Sequence, residues 1–134
     1  MLILLTLCFL NPPQTNDPHN VITHFFEAFN QHDPDAMATL MHPQIAWLGI
    51  KDDQVSVEMQ GADTIKASMV GYFKQLPTVR SEIQSYAVTG NFISVSERVT
   101  WKNKQGETRS QQSLSVYQIT EGKIRRVWYY PSSE

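Results

Sequence analysis

One acidic side chain stands in the middle of an otherwise apolar strand pattern. Alternate positions of this segment read Ile93, Val95, Glu97, Val99 and Trp101. A carboxylate on an apolar face is costly unless it is paired or protonated. In a pocket, such a group could act as a general base or bind a hydrogen-bond donor of a ligand. Two other interpretations stay open: a place in a dimer interface, or a structural hydrogen bond or salt bridge to Arg80, Arg109 or Arg126.

His42 is the second candidate for proton transfer, because an imidazole titrates near neutral pH. It precedes Pro43, where a second helix is expected to meet the first strand. A histidine in this position more often ends a helix by bonding a free carbonyl. No pair of histidines stands beside a carboxylate at a metal-ligand spacing, so the sequence indicates neither a metal nor another cofactor.

Aromatic side chains could form the walls of a pocket for a flat or apolar organic molecule. The candidates for ligand contact are Phe25, Trp47, Tyr72, Trp101, Tyr117 and Trp128. Some of them could equally be ordinary core residues or lie in a dimer interface, where Trp and Tyr are also enriched. Glu58 and Gln60 either line the mouth of the pocket or face water, as such residues usually do.

Three amphipathic helices are predicted in the first half of the chain. Asp17-Pro18 and Asp33-Pro34 each place a capping side chain before a proline at the first helical position. Apolar residues then recur at helical spacing, and His42-Pro43 is expected to end the second helix. A third helix runs from Ala62 to Leu76. A strand hairpin precedes it, with Val55, Val57 and Met59 predicted on one half-buried face.

The second half of the chain has the alternation of strands. They are predicted at Arg80 to Val88, Phe92 to Lys102, Thr108 to Ile119 and Lys123 to Tyr130. Short turns between them indicate an antiparallel meander. The element order predicts a single α+β domain over residues 17–134, with three helices packed on a strongly curved, mostly antiparallel sheet.

Composition limits the classes of function. The chain has 134 residues, of which 41% are hydrophobic and 18% charged, as in a soluble globular domain. The formal net charge is −2 and no basic stripe is present, so nucleic acid is not an expected partner. The single cysteine, Cys8, excludes an internal disulfide and a cysteine-based zinc cluster.

The first ten residues, MLILLTLCFL, are apolar but too few to span a bilayer as a helix. They resemble the hydrophobic region of an export signal, so residues 1–16 are predicted to be a leader and linker of a periplasmic or secreted protein. No Lys or Arg precedes the run, and no typical cleavage site follows it. The competing interpretation is an apolar arm packed on the domain or on a partner subunit, and the protein would then be cytoplasmic.

Residues 17 to 131 resemble the NTF2-like superfamily, which includes SnoaL-like proteins and ketosteroid isomerases. The resemblance lies in Phe25-Phe26-Glu27-Ala28-Phe29-Asn30, Asp33-Pro34-Asp35, Leu40, His42-Pro43, Trp47, Gly61, Val116-Tyr117-Gln118-Ile119, Gly122-Lys123-Ile124 and Trp128-Tyr129-Tyr130. It implies a cone whose open end leads into an apolar cavity between helices and sheet. It also implies a homodimer formed through the outer face of the sheet.

The resemblance does not bring an isomerase mechanism with it. The three catalytic positions of those isomerases fall on Phe25, on Gly49, and on or near Ser115. Phe25 cannot donate a hydrogen bond and Gly49 cannot take a proton. The Asp-Arg-Asp set of the related epoxide hydrolases has no clear counterpart either.

Three hypotheses about function follow. The first is a small-molecule-binding protein of the NTF2-like, SnoaL-like class, in which Glu97 is the polar anchor of an apolar pocket. The second is a SnoaL-like cyclase, isomerase or dehydratase that uses Glu97 together with His42 for proton transfer. The third is a non-catalytic interaction or accessory domain whose cavity is filled by its own aromatic side chains.

Overall fold

The computed structural model describes residues 17–130. Three helices and six strands follow one another: α1 (Pro18–Asn30), α2 (Pro34–Thr39), β1 (Met41–Lys51), β2 (Gln54–Gln60), α3 (Ala62–Gln75), β3 (Arg80–Thr89), β4 (Phe92–Lys102), β5 (Thr108–Thr120) and β6 (Lys123–Tyr129). The predicted leader, residues 1–16, lies outside the described range. No helix within that range has the length and apolar character needed to cross a membrane.

The two Asp-Pro pairs begin helices, as the sequence predicts. The Asp17 carboxylate accepts the backbone N–H of His19 at 2.8 Å, and Asp33 accepts that of Ala36 at 3.0 Å. These bonds satisfy amides that have no partner within the helix. The prediction that His42-Pro43 ends α2 is wrong. The helix already ends at Thr39 with Leu40 as its C-cap, and β1 begins at Met41.

All six strands form one sheet in the order β2-β1-β6-β5-β4-β3. Neighbouring strands are antiparallel except β1 and β6, which run parallel. The three helices cover one face of this curved sheet, which we call the inner face. The opposite face is the outer face. This arrangement confirms the predicted α+β fold with a mostly antiparallel sheet.

The core lies between the inner face and α1. Val21, Ile22, Phe25 and Phe26 of the helix are buried against residues of the four strands at the centre of the sheet. The buried residues that these strands contribute to the cluster are Met41, Ile45, Ile93, Val95, Tyr117, Ile119, Ile124 and Val127. Close packing here holds the helices over the sheet.

The strand registers contain bulges that change which residues face inward. In β2, Trp47 pairs with Met59 and Leu48 pairs with Val57, so Glu58 is an extra residue without a partner. A bulge of this kind interrupts the alternation between the two faces of a strand. The prediction that β2 has one half-buried face with both valines and Met59 is therefore wrong. Met59 is half-buried, whereas Val55 and Val57 are 59% and 60% exposed.

A second bulge lies in β6. Gln118 pairs with Arg126 and Ile119 pairs with Ile124, which leaves Arg125 as the extra residue. Ile124 and Val127 are both completely buried although an odd number of positions separates them. After the bulge, Val127 and Tyr129 face inward and Trp128 faces outward.

Candidate functional site

A cavity of about 250 Å³ opens between the helices and the inner face of the sheet. Most of its wall is aromatic or aliphatic: Phe25, Phe26, Phe29, Met37, Trp47, Met59, Met69 and Val99. The polar groups come from Ser68, Tyr72, Ser81, Glu97, Tyr117 and Tyr129. None of the Lys, Arg and His side chains within residues 17–130 lines it. The polar part of this wall therefore consists of hydroxyl groups around the carboxyl group of Glu97.

Glu97 lies at the centre of these polar groups and is only 6% exposed. The Ser81 hydroxyl donates a hydrogen bond to Oε2 of Glu97. The Ser113 hydroxyl lies 3.3 Å from Oε1, and the Tyr129 hydroxyl lies 3.4 Å from the same oxygen. The hydroxyl groups of Ser113 and Tyr129 are themselves 2.7 Å apart. Both carboxyl oxygens are thus engaged by neutral hydroxyl groups.

None of the three arginines proposed as partners of Glu97 forms a salt bridge with it within residues 17–130. Arg109 lies 3.7 Å from a Glu107 carboxylate oxygen, and the Arg126 guanidinium donates to the Gln118 side chain at 3.0 Å. Arg80 is exposed. The interpretation of Glu97 as a cross-sheet ion pair is therefore wrong, while its interpretation as a hydrogen-bonded group holds.

Burial raises the pKa of Glu97 above the ordinary value of 4.5, and the hydrogen bonds from Ser81, Ser113 and Tyr129 oppose this shift. Burial dominates because a charged carboxylate loses its solvation in an apolar cavity, and no cation among the described residues replaces it. The neutral acid thus persists to higher pH than in an exposed glutamate. In that form the group can donate a hydrogen bond as well as accept one.

Three tyrosines contribute phenol groups to the cavity. Burial raises the pKa of Tyr129 to about 12, and the negative charge of Glu97 adds to the shift. Burial, followed by the charge of Glu97, also raises the pKa of Tyr72 and holds that of Tyr117 well above its ordinary value. All three phenols keep their protons at neutral pH and can act as hydrogen-bond donors.

The position of Ser81 depends on the end of α1. The side-chain amide of Asn30 donates to the Ser81 carbonyl oxygen at 2.9 Å, and its oxygen accepts the Ser81 N–H at 2.8 Å. This pair of bonds fixes the first residues of β3 against the helix. Ser113 reaches Glu97 by direct cross-strand pairing between β4 and β5. The contacts of Ser81 and Ser113 with Glu97 are long-range, and nothing in the local sequence pattern identified them.

The structure brings together four of the six predicted ligand-contacting residues. Phe25, Trp47, Tyr72 and Tyr117 line the cavity with Glu97. Trp101 does not line the cavity, although it packs partly buried against the core. Gly49 lies on the inner face through its pairing with Tyr129, and Ser115 is completely buried.

Trp128 lies on the outer face, with its ring centroid 6.2 Å from that of Phe92. The inward aromatic residue of β6 is its neighbour Tyr129, which sequence analysis missed. Strict alternation from Ile124 selects Trp128 and Tyr130, because the bulge at Arg125 cannot be seen in the sequence pattern. Two arginines in succession carry no local sign that one of them is an extra residue.

His42 is not among the residues that line the cavity. Its Nδ1 accepts the backbone N–H of Gln44 at 3.0 Å, within the same exposed stretch of β1. The geometry therefore does not pair His42 with Glu97. Tyr129, at 3.4 Å, is the titratable group that does lie beside the Glu97 carboxyl group. Within residues 17–130, no group of three or more His, Cys, Asp or Glu side chains is placed to hold a metal ion.

The SnoaL-like domain family matches residues 22–127, and the chain belongs to this family. A search of curated proteins gives no match. Among solved structures, IdmH from Streptomyces antibioticus superposes with a TM-score of 0.75 at 16% identity, over 87% of this chain and 92% of that one.

Two further structures show the same fold. A SnoaL-like polyketide cyclase from Agrobacterium tumefaciens superposes with a TM-score of 0.70 at 14% identity, over 87% of this chain and 91% of the other. An uncharacterised cystatin-fold protein from Novosphingobium aromaticivorans superposes at 0.71 with 17% identity, over 84% and 96%. At these identities the similarity establishes the fold, and the function has to be argued from the site.

Proposed function

We propose that this protein binds a small, largely apolar molecule without an anionic group in the inner cavity, with Glu97 as the main polar anchor. One observation carries the proposal. A buried carboxyl group faces an aromatic cavity, is held by hydroxyl groups on both oxygens, and has no cation beside it within residues 17–130. Such a group recognises a ligand hydroxyl or carbonyl oxygen according to its protonation state.

The walls define the class of ligand further. A cavity of about 250 Å³ lined by Phe25, Trp47 and Tyr117 suits a flat compound of a few fused rings or a comparable terpenoid. None of the described lining residues carries a positive charge that would compensate a ligand anion. An anionic group placed deep in the cavity would also meet the partial negative charge of Glu97, so compounds whose buried part carries no negative charge are favoured.

A second candidate function is proton transfer, as in a cyclase, isomerase or dehydratase. The observation that favours it is the raised pKa of Glu97 inside a cavity, since such groups serve as general acids or bases. The Tyr129 and Ser113 hydroxyl groups, 2.7 Å apart, connect to the same carboxyl oxygen and could relay a proton. Tyr129 takes the partner role first assigned to His42. The polyketide-cyclase description of the Agrobacterium protein is compatible with this chemistry.

The interaction-domain hypothesis requires a cavity closed by its own side chains. The space between helices and sheet counts against it as the sole function. An interaction surface could nevertheless exist on the outer face, where Val55, Val57, Phe92 and Leu114 are between 42% and 60% exposed. We propose that the protein forms a homodimer through this face, because exposed apolar residues on one surface commonly mark protein contacts.

The test is a thermal-shift measurement on the full chain with steroid, polyketide, terpenoid and fatty-acid-like compounds. A compound that binds only the folded state raises the melting temperature. We expect stabilisation by polycyclic compounds without an anionic group, reduced in Glu97→Gln. The matched control is Glu82→Gln, which alters an exposed carboxylate on β3 and should behave as wild type. Equal stabilisation of the Glu97→Gln variant would contradict the anchor role.

Turnover separates the two candidate functions. A compound that binds is incubated with the protein, and the products are analysed by mass spectrometry and NMR. If Glu97 transfers a proton, Glu97→Gln should lower the rate by about 10²- to 10⁴-fold, the usual contribution of a general acid or base. Binding without any product would support the first function and contradict the second.

A further inference from the structure

A second carboxyl group lies on the inner face, outside the cluster around Glu97. Gly49 on β1 pairs with Tyr129 on β6, so a side chain at Gly49 would point to the face on which Tyr129 lies. A Cβ atom built at Gly49 would lie 2.1 Å from Oε1 and 2.7 Å from Cδ of Glu58. The Glu58 carboxyl group therefore occupies the space that a side chain at position 49 would fill.

The bulge in β2 explains how Glu58 reaches this position. Because it has no partner between the Trp47–Met59 and Leu48–Val57 pairs, its side chain is released from the strict alternation of the strand. It turns to the inner face, the face on which Met59 lines the cavity. Without the bulge, Glu58 would point away from the inner face. Without the glycine, its carboxyl group would collide with a side chain from β1.

The surroundings of this carboxyl group differ from those of Glu97. Glu58 is exposed, and within residues 17–130 it has no salt-bridge partner. Two cavity-lining rings, Trp47 and Tyr129, flank the Gly49 position, with centroids 6.0 Å apart and planes tilted by 31°. A carboxylate at the Gly49 position favours a positively charged group through charge-assisted hydrogen bonds, and the neighbouring aromatic rings can add cation–π contacts.

We propose that Glu58, whose carboxyl group lies over Gly49, forms a second binding subsite beside the cavity, which takes a protonated amine on a ligand whose apolar frame fills the interior. This inference rests on the proposed binding function and adds a property to it. The interior holds the neutral part of the ligand near Glu97. The Glu58 subsite selects among ligands by the charge of the group that stays near solvent.

Three probes with one apolar frame test the subsite: 2-(aminomethyl)naphthalene, 2-(hydroxymethyl)naphthalene and 2-methylnaphthalene. Their affinities for the full chain are measured by calorimetry at neutral pH and low salt. We expect the wild-type protein to bind the amine about tenfold more tightly than the methyl compound, as hydrogen bonds to charged groups allow. The alcohol should lie between them.

Two variants remove the subsite in different ways. Glu58→Gln removes the charge, whereas Gly49→Ala places a methyl group where the carboxyl group lies and displaces it. In both, the amine should lose its tenfold advantage while 2-methylnaphthalene keeps its affinity. Glu82→Gln, which removes an exposed charge from β3, should leave the preference intact. If Gly49→Ala does not fold, Glu58→Gln alone decides.

The outcomes separate the subsite from the binding function. Binding of 2-methylnaphthalene with no amine preference in the wild type, or with a preference that survives in Glu58→Gln, overturns the subsite and leaves the binding function standing. A wild-type protein that binds none of the three probes overturns both. A preference that is lost in Glu58→Gln and kept in Glu82→Gln supports the subsite.

Discussion

The two faces of the sheet have opposite characters although they are built from alternating residues of the same strands. On the inner face of β4, Ile93 and Val95 are completely buried and Glu97 is 6% exposed. On its outer face, Phe92 is 42% exposed. The inner face encloses a small volume beside a buried acid, which suits a small molecule. The outer face presents open apolar surface, which suits a macromolecular partner.

The largest expected effect tests this contrast with two neighbouring residues. Ile93→Ala removes buried methyl and methylene groups and leaves a cavity, so it should lower the free energy of unfolding by about 2–5 kcal/mol. Ser94→Ala, one position along on the outer face, should change it by about 0.5 kcal/mol or less. Urea unfolding followed by circular dichroism measures both. Similar losses in the two variants would contradict the assignment of the faces.

The next effect concerns self-association. Leu114 on the outer face is 43% exposed, and Leu114→Lys would place a like charge on both sides of a symmetric interface. If the outer face forms the homodimer, the dimer dissociation constant should rise at least about tenfold, as measured by analytical ultracentrifugation. Gln75→Lys makes a matched charge change on exposed α3 and should have no effect. An unchanged constant in Leu114→Lys would exclude this part of the face.

The pH dependence of stability sharpens the account of the inner face. Burial raises the pKa of Glu97 above 4.5, so the folded protein binds this proton more tightly than the unfolded chain does. This proton binding stabilises the folded protein fully at pH values below the pKa of Glu97 in the unfolded chain. The stabilisation is lost as the pH rises through the higher pKa of Glu97 in the folded protein. A folded-state pKa one pH unit above the unfolded value corresponds to about 1.4 kcal/mol of stability.

Glu97→Gln lacks this titration. The free energy of unfolding of the wild type relative to Glu97→Gln should therefore fall as pH rises from 4.5 through the raised pKa, and stay constant above it. Urea unfolding at a series of pH values gives this difference. Glu82→Gln, which replaces an exposed carboxylate on β3 in the same way, is measured alongside as the matched variant. A difference that increases with pH would mean that the folded state favours the carboxylate.

The smallest predicted effect comes from Tyr129→Phe. This change removes a hydroxyl group that lies 2.7 Å from Ser113 and 3.4 Å from Glu97, so we expect a loss of about 1 kcal/mol in stability. It should also raise the pKa of Glu97 further, because the hydrogen bond from Tyr129 lowers it. Tyr130→Phe is the neighbouring control. Equal effects of the two substitutions on the Glu97 titration would argue against the Tyr129 contact.

The regular strands explain why Glu97 could be predicted from the sequence. β4 and β5 pair without interruption from Phe92 and Gln118 to Lys102 and Thr108, so alternation along β4 assigns its faces correctly. The starts of α1 and α2 could also be predicted from the sequence, because each depends on a local Asp-Pro pair. The fold class then followed from the order of the elements. The hydrogen-bond partners of Glu97 could not be predicted, since Ser81 and Ser113 come from other strands.

The bulges in β2 and β6 explain why the sequence pattern assigns some residues to the wrong face of the sheet. An extra residue at Arg125 exchanges the faces of Trp128 and Tyr129, and another at Glu58 separates Met59 from Val57. A bulge depends on tertiary pairing between strands, and neither segment has a glycine or proline that marks it. The early end of α2 at Thr39 has a similar cause. Met41 already pairs with Ile124 of β6, so the chain becomes a strand before Pro43 is reached.

The central claim is that the acid on the inner face is protonatable within a cavity and is not held as an ion pair. Carbon-13 NMR of the Glu97 side-chain carboxyl group during a pH titration tests it most directly, with assignment by comparison with Glu97→Gln. We predict a titration midpoint above 4.5, because burial dominates the hydrogen bonds that oppose it. A midpoint at or below 4.5 would contradict the claim, since it would mean that the inner face stabilises a charged carboxylate.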